Sequence, residues 1–196
     1  MDIINDTYLT VSASSQGLFK DRNSRFISFA FQVDSEEEVK NILKSLRKKY
    51  YDATHHCYAY AIGINREASR QNDDGEPSGT AGKPIYGQIL SRKLTNILIV
   101  VIRYYGGTRL GVNGLINAYR EASSDAIAHA EIISKTLNET FIIEFEYAHS
   151  EKVMKAIKKE NAKVLEQKYK DKCNIRLEIR QRDAMKLKEA LWEFLK

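Results

Sequence analysis

The stretch ILIVVI, residues Ile97–Ile102, is the longest run of large aliphatic residues in the chain. It is far shorter than the roughly 20 apolar residues that a membrane-spanning helix needs. Its length and composition are typical of a strand that is covered on both faces of its sheet. Such a strand needs packing layers on both sides, so the run predicts a fold that mixes helices with a central sheet.

Further strands and helices are predicted around this run. Residues 24–33 and 56–65 alternate between apolar and polar positions, as half-buried strands do. A helix is predicted after Ser35, because this serine and the glutamate three residues later form a capping box and apolar residues follow at helical spacing. A second helix is predicted from Leu115 onward. Residues 65–87 are polar and without periodicity, and are predicted to form a long loop.

The pattern restarts after Leu137 and indicates a second domain. Strands and helices are predicted there in the order βαββα, which is typical of a ferredoxin-like α+β sandwich. We therefore expect two domains, residues 1–136 and 137–196.

Composition restricts the class of protein only mildly. The net charge is +5 and the isoelectric point about 9.0, which permits a nucleic-acid partner without requiring one. Cys57 and Cys173 are far apart and form no CxxC motif, so we expect reduced thiols and a cytoplasmic protein. The first residues show no signal-peptide pattern, and no membrane partner is predicted.

The segment Asp73–Pro84, DDGEPSGTAGKP, combines three acidic residues with three glycines and both prolines of the chain. It resembles a phosphate-binding P-loop, but Pro77 stands where that motif needs glycine. Pro84 stands where the motif needs the hydroxyl that binds magnesium. No strand–loop–helix frame is predicted around the segment, so nucleotide hydrolysis by a P-loop is not expected.

Three interpretations of this segment stay open. Its glycines can let backbone N–H groups converge on an anion, with Lys83 adding charge. Alternatively it is a rigid turn whose polar side chains cap the local backbone, or its carboxylates hold a divalent metal for phosphate chemistry. The candidate binding residues here are Asp73, Asp74, Glu76, Ser78, Gly79, Thr80, Gly82 and Lys83.

The segment RYYGGTRLGVNG follows the aliphatic run and is the second candidate site. It places charged and aromatic residues at the end of a buried strand and before a helix, where α/β folds bind anions. The alternative is that Arg103 pairs with Asp74 or Glu76 inside the fold. The candidate residues are Arg103, Tyr104, Tyr105, Gly106, Gly107, Arg109, Gly111 and Gly114. We expect the three acidic residues of the first segment to lie near Arg103.

Two adjacent histidines precede a predicted strand and suggest a metal site. Adjacent strand residues point to opposite faces, so His55 and His56 are not expected to bind one ion. His56 is kept as a candidate binding residue. No catalytic residue, metal ligand or cofactor is predicted.

Basic residues alternate with acidic ones near the C-terminus. Lys168, Lys170, Arg176 and Arg180 are predicted on outward strand positions, where a solvated sheet face is the simplest interpretation. An RNA- or ribosome-facing sheet is the alternative.

Four segments in order, THHCYAY, NDDGEPSGTAGKPI, VVIRYYGGTRLG and GLINAYREA, resemble the signature of the IMPACT/YigZ family. The C-terminal part is similar to the second domain of bacterial YigZ-type members, which is related to the last domain of elongation factor G. Family members usually have two glycines where this chain has Asn113-Gly114. Asparagine tolerates a positive φ, so a turn is expected there.

The resemblance implies a fold and a role. The N-terminal domain is expected to be an α/β sandwich of the ribosomal-protein/RNase PH superfamily, with an unusual left-handed βαβ crossover. Eukaryotic relatives act in translation control by competing for an activator of an amino-acid-starvation kinase. For this chain the resemblance implies a non-enzymatic, translation-linked regulator that binds RNA, the ribosome or a translation factor. A protein-binding regulator without nucleic acid, and an enzyme acting on a phosphorylated small molecule or nucleotide, are the alternatives.

Overall fold

A five-stranded antiparallel sheet forms the centre of one of two compact units, which comprises residues 8–135. The computed structural model describes residues 6–196, and its second unit comprises residues 6–7 with 136–196. The strands are β1 (Thr7–Val11), β2 (Ser15–Asp21), β3 (Ser24–Gln32), β4 (His55–Ile62), β5 (Ala68–Asn72), β6 (Ile97–Tyr104), β7 (Ile132–Thr136), β8 (Asn138–Phe145), β9 (Lys163–Tyr169) and β10 (Cys173–Arg180). The helices are α1 (Glu36–Lys49), α2 (Gly82–Ser91), α3 (Gly111–Ala128), α4 (Ser150–Lys159) and α5 (Gln181–Ala190).

The aliphatic run lies in β6, the central strand of the sheet order β2-β3-β6-β4-β5. Its side chains alternate between two cores. Leu98, Val100 and Ile102 pack on the face that α1 covers, and the residues between them pack on the face that α2 and α3 cover. Every residue from Ile97 to Ile102 is fully buried, so both faces of the strand are shielded from water as its composition predicted.

Two crossover connections in this sheet have opposite hands. β3 and β4 both pair antiparallel with β6, so they are parallel to each other, and α1 joins them across one face. β5 and β6 both pair antiparallel with β4, and α2 joins them across the other face. A rotation of the sheet by 180° about the axis perpendicular to its plane gives the β5–β6 connection the same strand direction, and the same direction across the sheet, as the β3–β4 connection. After this rotation the two connecting helices still lie on opposite faces. One of the two is therefore left-handed, against the rule that holds in about 98% of such units.

Residues 65–87 are not one long loop, and that prediction is wrong. β5 pairs with β4 at the edge of the sheet, and α2 begins at Gly82. A strand–loop–helix frame therefore does surround the segment from Asp73 onward. Neither element shows a clear pattern, because β5 is exposed along most of its length and α2 contains two glycines and a proline.

The N-termini of α1 and α3 differ in how well they match the capping and turn signals of the sequence. Ser35 accepts a hydrogen bond from the Glu38 N–H at 3.3 Å, as a capping serine does. The Glu38 carboxylate accepts from the Asp34 N–H instead of completing the box at Ser35. α3 begins at Gly111, so Asn113 lies within its first turn without a positive φ, and the turn expected there is absent.

The second unit contains the predicted βαββα arrangement. Its sheet has the order β8-β10-β9, and α4 and α5 cover one face of it. The buried carboxylate of Asp6 accepts two hydrogen bonds from Arg180, at 2.7 and 2.8 Å. The protein is thus α+β in both units. Within residues 6–196, no helix combines the length and apolarity needed to cross a membrane.

Candidate functional site

A cleft of about 530 Å³ opens in the first unit where β4 begins and β6 ends. Its floor is polar, and one wall consists of the first turn of α3 and the residues just before it. The lining residues are Thr54, His55, Glu76, Pro77, Arg103, Tyr105, Arg109, Leu110, Gly111, Val112 and Leu115. The cleft therefore combines charged, aromatic and apolar groups on one surface, as ligand sites commonly do.

Arg103 and Glu76 form a buried ion pair on the floor of the cleft. Arg103 Nη1 donates to Glu76 Oε1 at 2.6 Å, and both side chains are more than nine-tenths buried. The Tyr119 hydroxyl donates to the same oxygen at 2.7 Å. The Arg103 guanidinium lies between two rings, with its carbon 5.3 Å from the centre of Phe26 and 5.4 Å from that of Tyr105. This packing fixes the guanidinium at the base of the cleft.

Cys57 completes this buried network without acting as an activated nucleophile. Its sulfur lies 3.3 Å from the Tyr119 hydroxyl oxygen and 3.0 Å from the carbonyl oxygen of Asp73. Burial raises the pKa of the Cys57 thiol and also that of the Tyr119 phenol, each well above its usual range. Both groups therefore stay protonated at neutral pH and act as hydrogen-bonding groups.

Asp73 caps α2 from outside the helix. Its carboxylate accepts hydrogen bonds from the backbone N–H groups of Gly79, Ala81 and Gly82, at 2.8–3.0 Å. Burial opposes ionisation of Asp73, but these three donors outweigh it and hold its pKa below the ordinary value. The rigid-turn interpretation of the segment thus describes Asp73 correctly.

Asp74 interacts with groups on the α1 side of the sheet. Its carboxylate accepts from Arg47 at 2.7 Å and from the His56 N–H at 2.6 Å. Burial favours a higher pKa for Asp74, but these two donors have the larger effect. The pKa of Asp74 therefore lies below its ordinary value. Asp73, Asp74 and Glu76 therefore serve three different sets of partners, and the described residues contain no cluster suited to a metal ion.

His55, not His56, borders the cleft. His55 pairs with Arg103 across the sheet and shares its face, whereas His56 faces the α1 side. Burial and the nearby Arg47 lower the pKa of His56, so its ring is neutral at pH 7. His56 therefore does not border the cleft, and its assignment as a binding residue stays a prediction.

The two tyrosines after Arg103 also separate. Tyr104 points to the α1 side, where its hydroxyl donates to Asp52 at 2.8 Å. Tyr105 lies at the mouth of the cleft and is 47% exposed. Gly106 packs on the β2–β3 turn so closely that a Cβ atom would lie 2.1 Å from the Asn23 carbonyl carbon. Only glycine fits there.

The remaining predicted residues divide between the cleft and its surroundings. Arg109 and Gly111 line the cleft, while Gly107 is exposed beside it and Gly114 lies within α3. In the acidic segment, Thr80 donates to the Pro77 carbonyl, and the other residues surround the start of α2. Ser78, Gly79, Gly82 and Lys83 are not among the lining residues. Their assignment as ligand contacts stays a prediction.

Sequence reasoning missed several residues of this site. Leu110, Val112 and Leu115 form its apolar wall, and Cys57 and Tyr119 hold its floor. The helical stripe through Leu115 and Tyr119 indicated burial but not a cleft. The sequence holds no signal that separates His55 from His56, because both faces of β4 are buried.

The basic residues of the second unit occupy different settings. Lys170 and Arg176 border a shallow groove of about 290 Å³ on the open sheet face, and Lys168 pairs there with Glu166 at 2.7 Å. Arg180 is held by Asp6 and is only 30% exposed. Arg180 lies on the same outward side of β10 as Arg176, as predicted, but Asp6 and Thr7 engage its Nε and Nη2. Its assignment as a nucleic-acid contact stays a prediction.

Comparisons with known proteins agree with the sequence signature. Residues 22–127 match the family described as the Impact N-terminal domain. IMPACT family member YvyE of Bacillus subtilis is 38% identical over 131 residues, 67% of this chain and 60% of that protein. IMPACT family member YigZ of Escherichia coli is 37% identical over 128 residues, 64% of this chain and 63% of that protein. The matches thus span less than two thirds of either relative.

One solved structure is similar over almost the whole chain. It is described as a crystal structure of a hypothetical protein and is 28% identical. The alignment covers 97% of this chain and 93% of that chain, with a TM-score of 0.73. The α+β architecture is therefore shared with a solved protein.

Proposed function

Because the chain belongs to the IMPACT family, whose N-terminal domain its residues 22–127 match, we propose that it is a translation-linked regulator that binds RNA, free or within the ribosome. The cleft of the first unit is the proposed binding site. The family resemblance provides the link to translation, and the chemistry of the cleft provides the preference for RNA.

One observation carries the proposal. The half-exposed ring of Tyr105 lies at the mouth of the cleft against the buried guanidinium of Arg103, with 5.4 Å between the guanidinium carbon and the ring centre. Unpaired bases stack on aromatic rings in such positions, and each stack contributes about 1–3 kcal/mol. A cation behind the ring strengthens this surface.

Positive groups surround this ring and favour a polyanion. Arg109 is exposed on the loop after Tyr105, and Arg22 of the β2–β3 turn donates to the Arg109 carbonyl at 3.4 Å. Arginines on two neighbouring loops can therefore contact a backbone that passes over the cleft. The protonated states of Cys57 and Tyr119 favour binding over covalent catalysis.

Sedimentation with purified ribosomes and with single-stranded RNA tests the proposal. We expect association that weakens steadily from about 50 to 300 mM salt, because phosphate contacts release counterions. Tyr105→Ala is expected to weaken binding about 5- to 100-fold through loss of the stack. Tyr51→Ala removes a tyrosine that is 84% exposed elsewhere on this unit and is expected to change nothing. Absence of association at every salt concentration would refute the proposal.

A protein partner is the second candidate, favoured by the apolar wall of Leu110, Val112 and Leu115. Capture of a partner that persists after nuclease treatment, and that Tyr105→Ala abolishes, would favour this candidate over RNA. An effect of nuclease on capture would favour RNA.

A further inference from the structure

We infer that the cleft recognises a nucleoside 5′-monophosphate group at the end of an RNA, an inference that rests on the proposed RNA-binding function. In this arrangement the base stacks on Tyr105 and the phosphate lies at the N-terminus of α3. The inference goes beyond general RNA binding because it assigns one chemical end of the ligand to one place in the cleft.

The N-terminus of α3 forms part of the cleft wall and is open. Gly111 and Val112, its first residues, line the cleft, and Leu110 before them offers no side-chain acceptor. The first turn contains no acidic residue. In the same unit, Ser35 accepts from α1 and Asp73 accepts from α2. An 18-residue helix with uncapped N–H groups attracts an anion through these donors and its dipole.

Arg103 provides a second, independent indication of a ligand. The residue is only 5% exposed and borders the cleft, yet its Nε has no hydrogen-bond partner within residues 6–196. A buried donor without an acceptor is costly, and native structures rarely leave one unpaired. A ligand oxygen in the cleft would be a suitable acceptor for the unused guanidinium donors.

Charge at the cleft favours a terminal phosphate over an internal one. Glu76 neutralises Arg103, so Arg103 contributes hydrogen-bond donors and little net charge. The positive potential comes from exposed Arg109 and from the N-terminal end of the α3 dipole. A phosphate monoester carries a charge of about −1.5 to −2 at pH 7, whereas an internal phosphodiester carries about −1. The more highly charged group therefore gains more from this site.

The rest of the cleft suits a single nucleotide. Its volume of about 530 Å³ lies within the range of pockets that enclose one small ligand. The Tyr105 ring provides a stacking surface, and Leu110 and Leu115 line an apolar wall. Stacking on the ring and contact with an apolar wall need no base-specific hydrogen bonds, so the base identity is expected to matter little.

Fluorescence anisotropy with two matched RNA decamers tests the inference. The two have the same sequence and differ only in a 5′-monophosphate or a 5′-hydroxyl. We expect the phosphorylated RNA to bind at least tenfold more tightly. Arg109→Ala and Val112→Glu are both expected to reduce this ratio toward one, because the first removes a cation and the second places a carboxylate at the phosphate position.

The matched control is Arg120→Ala. Arg120 is an exposed arginine on α3 whose contacts are Asn117 and Glu121, outside the cleft. This variant loses the same charge as Arg109→Ala and is expected to keep the tenfold ratio. Equal loss in both variants would show that only overall charge matters and would overturn the inference.

The remaining outcomes separate the inference from the proposed function. Equal binding of both decamers overturns the inference and leaves RNA binding in place. Failure of both decamers, of ribosomes and of free adenosine monophosphate to bind overturns both. Binding of free adenosine monophosphate is measured separately by calorimetric titration. If it binds and the phosphorylated RNA does not, the nucleotide site is upheld, but the RNA end is rejected as its source.

Discussion

Arg103 stands where the aliphatic run of β6 ends, on the same sheet face as buried Val101. A charge in that position is stable only with a partner, and Glu76 is that partner. The pair is anchored further by Tyr119, which donates to the same carboxylate oxygen. Arg103 and Glu76 therefore act as one unit, and the cost of changing either depends on the other.

We expect Glu76→Ala to lower the free energy of unfolding by about 3–5 kcal/mol, because it leaves a buried guanidinium unpaired. The double variant Glu76→Ala/Arg103→Met is expected to lose less than the sum of the two single variants. Urea denaturation of the three variants measures this difference. The coupling is contradicted if the losses in unfolding free energy of the two single variants add up, within error, to the loss in the double variant.

Single residues were predicted from the sequence with mixed success. The pairing of Arg103 with an acidic residue of the segment 73–84 was named as an alternative, and the partner is Glu76. Alternation could not distinguish His55 from His56 as the residue that borders the cleft, because β4 is covered on both faces and residues 56–61 are all buried. The apolar wall could not be predicted, since a helix stripe gives burial without the shape of the surface beside it.

Among the elements, α2 shows why a helix can lack a recognisable helical pattern in its sequence. Its buried residues Ile85 and Ile89 have helical spacing, but Pro84 and two glycines obscure the pattern. Its N-terminal acceptor is Asp73, which lies nine positions before Gly82 and not at the usual capping position. β5 was missed for a related reason, because an exposed edge strand needs no apolar alternation.

Gly87→Ala is expected to stabilise the protein by about 0.5–1 kcal/mol, because alanine is the better helix former. A Cβ atom at Gly87 meets no atom within 4 Å, and its φ is not positive. Thermal unfolding followed by circular dichroism measures the gain.

Gly82→Ala in the same helix is the control with the opposite sign. Its Cβ would lie 2.7 Å from the Asn72 backbone nitrogen, so we expect destabilisation. If both variants are more stable than the original protein, helix propensity alone determines the effect of alanine, and the contact between α2 and β5 can relax.

At the level of the whole molecule, the second unit includes a residue from the other end of the chain. Asp6 and Arg180 are separated by 174 positions, and no local pattern indicates that they meet. The proposed domain boundary near residue 137 came from periodicity alone, which detects where a pattern restarts. Periodicity gives no information on a distant segment such as residues 6–7, which joins the unit through the Asp6–Arg180 ion pair and through backbone hydrogen bonds from Leu137 and Arg182 to Asp6.

Acid is expected to destabilise the second unit through Asp6. The Arg180 guanidinium lowers the pKa of Asp6 from 3.8 to about 2. Since the folded pKa lies below the unfolded one, the stabilisation is present above about pH 4 and is lost as the pH falls toward 2. Its size is about 2 kcal/mol.

Circular dichroism at each pH follows the unfolding. We expect Asp6→Asn to lower stability at pH 7 and to flatten the decline between pH 4 and pH 2. Asp171→Asn, at an exposed position of the same unit, is expected to leave the decline unchanged. An unaltered pH profile in Asp6→Asn would contradict the assignment.

Strand order also fixes the sequence in which a newly synthesised chain completes its sheet. The hairpins β2–β3 and β4–β5 emerge first, yet they are not neighbours, because β6 lies between β3 and β4. Each hairpin therefore exposes an unpaired edge until residue 104 has been translated. The strand that joins them is also the most apolar one, so we expect closure of the sheet to be a late event driven by burial of Ile97–Ile102.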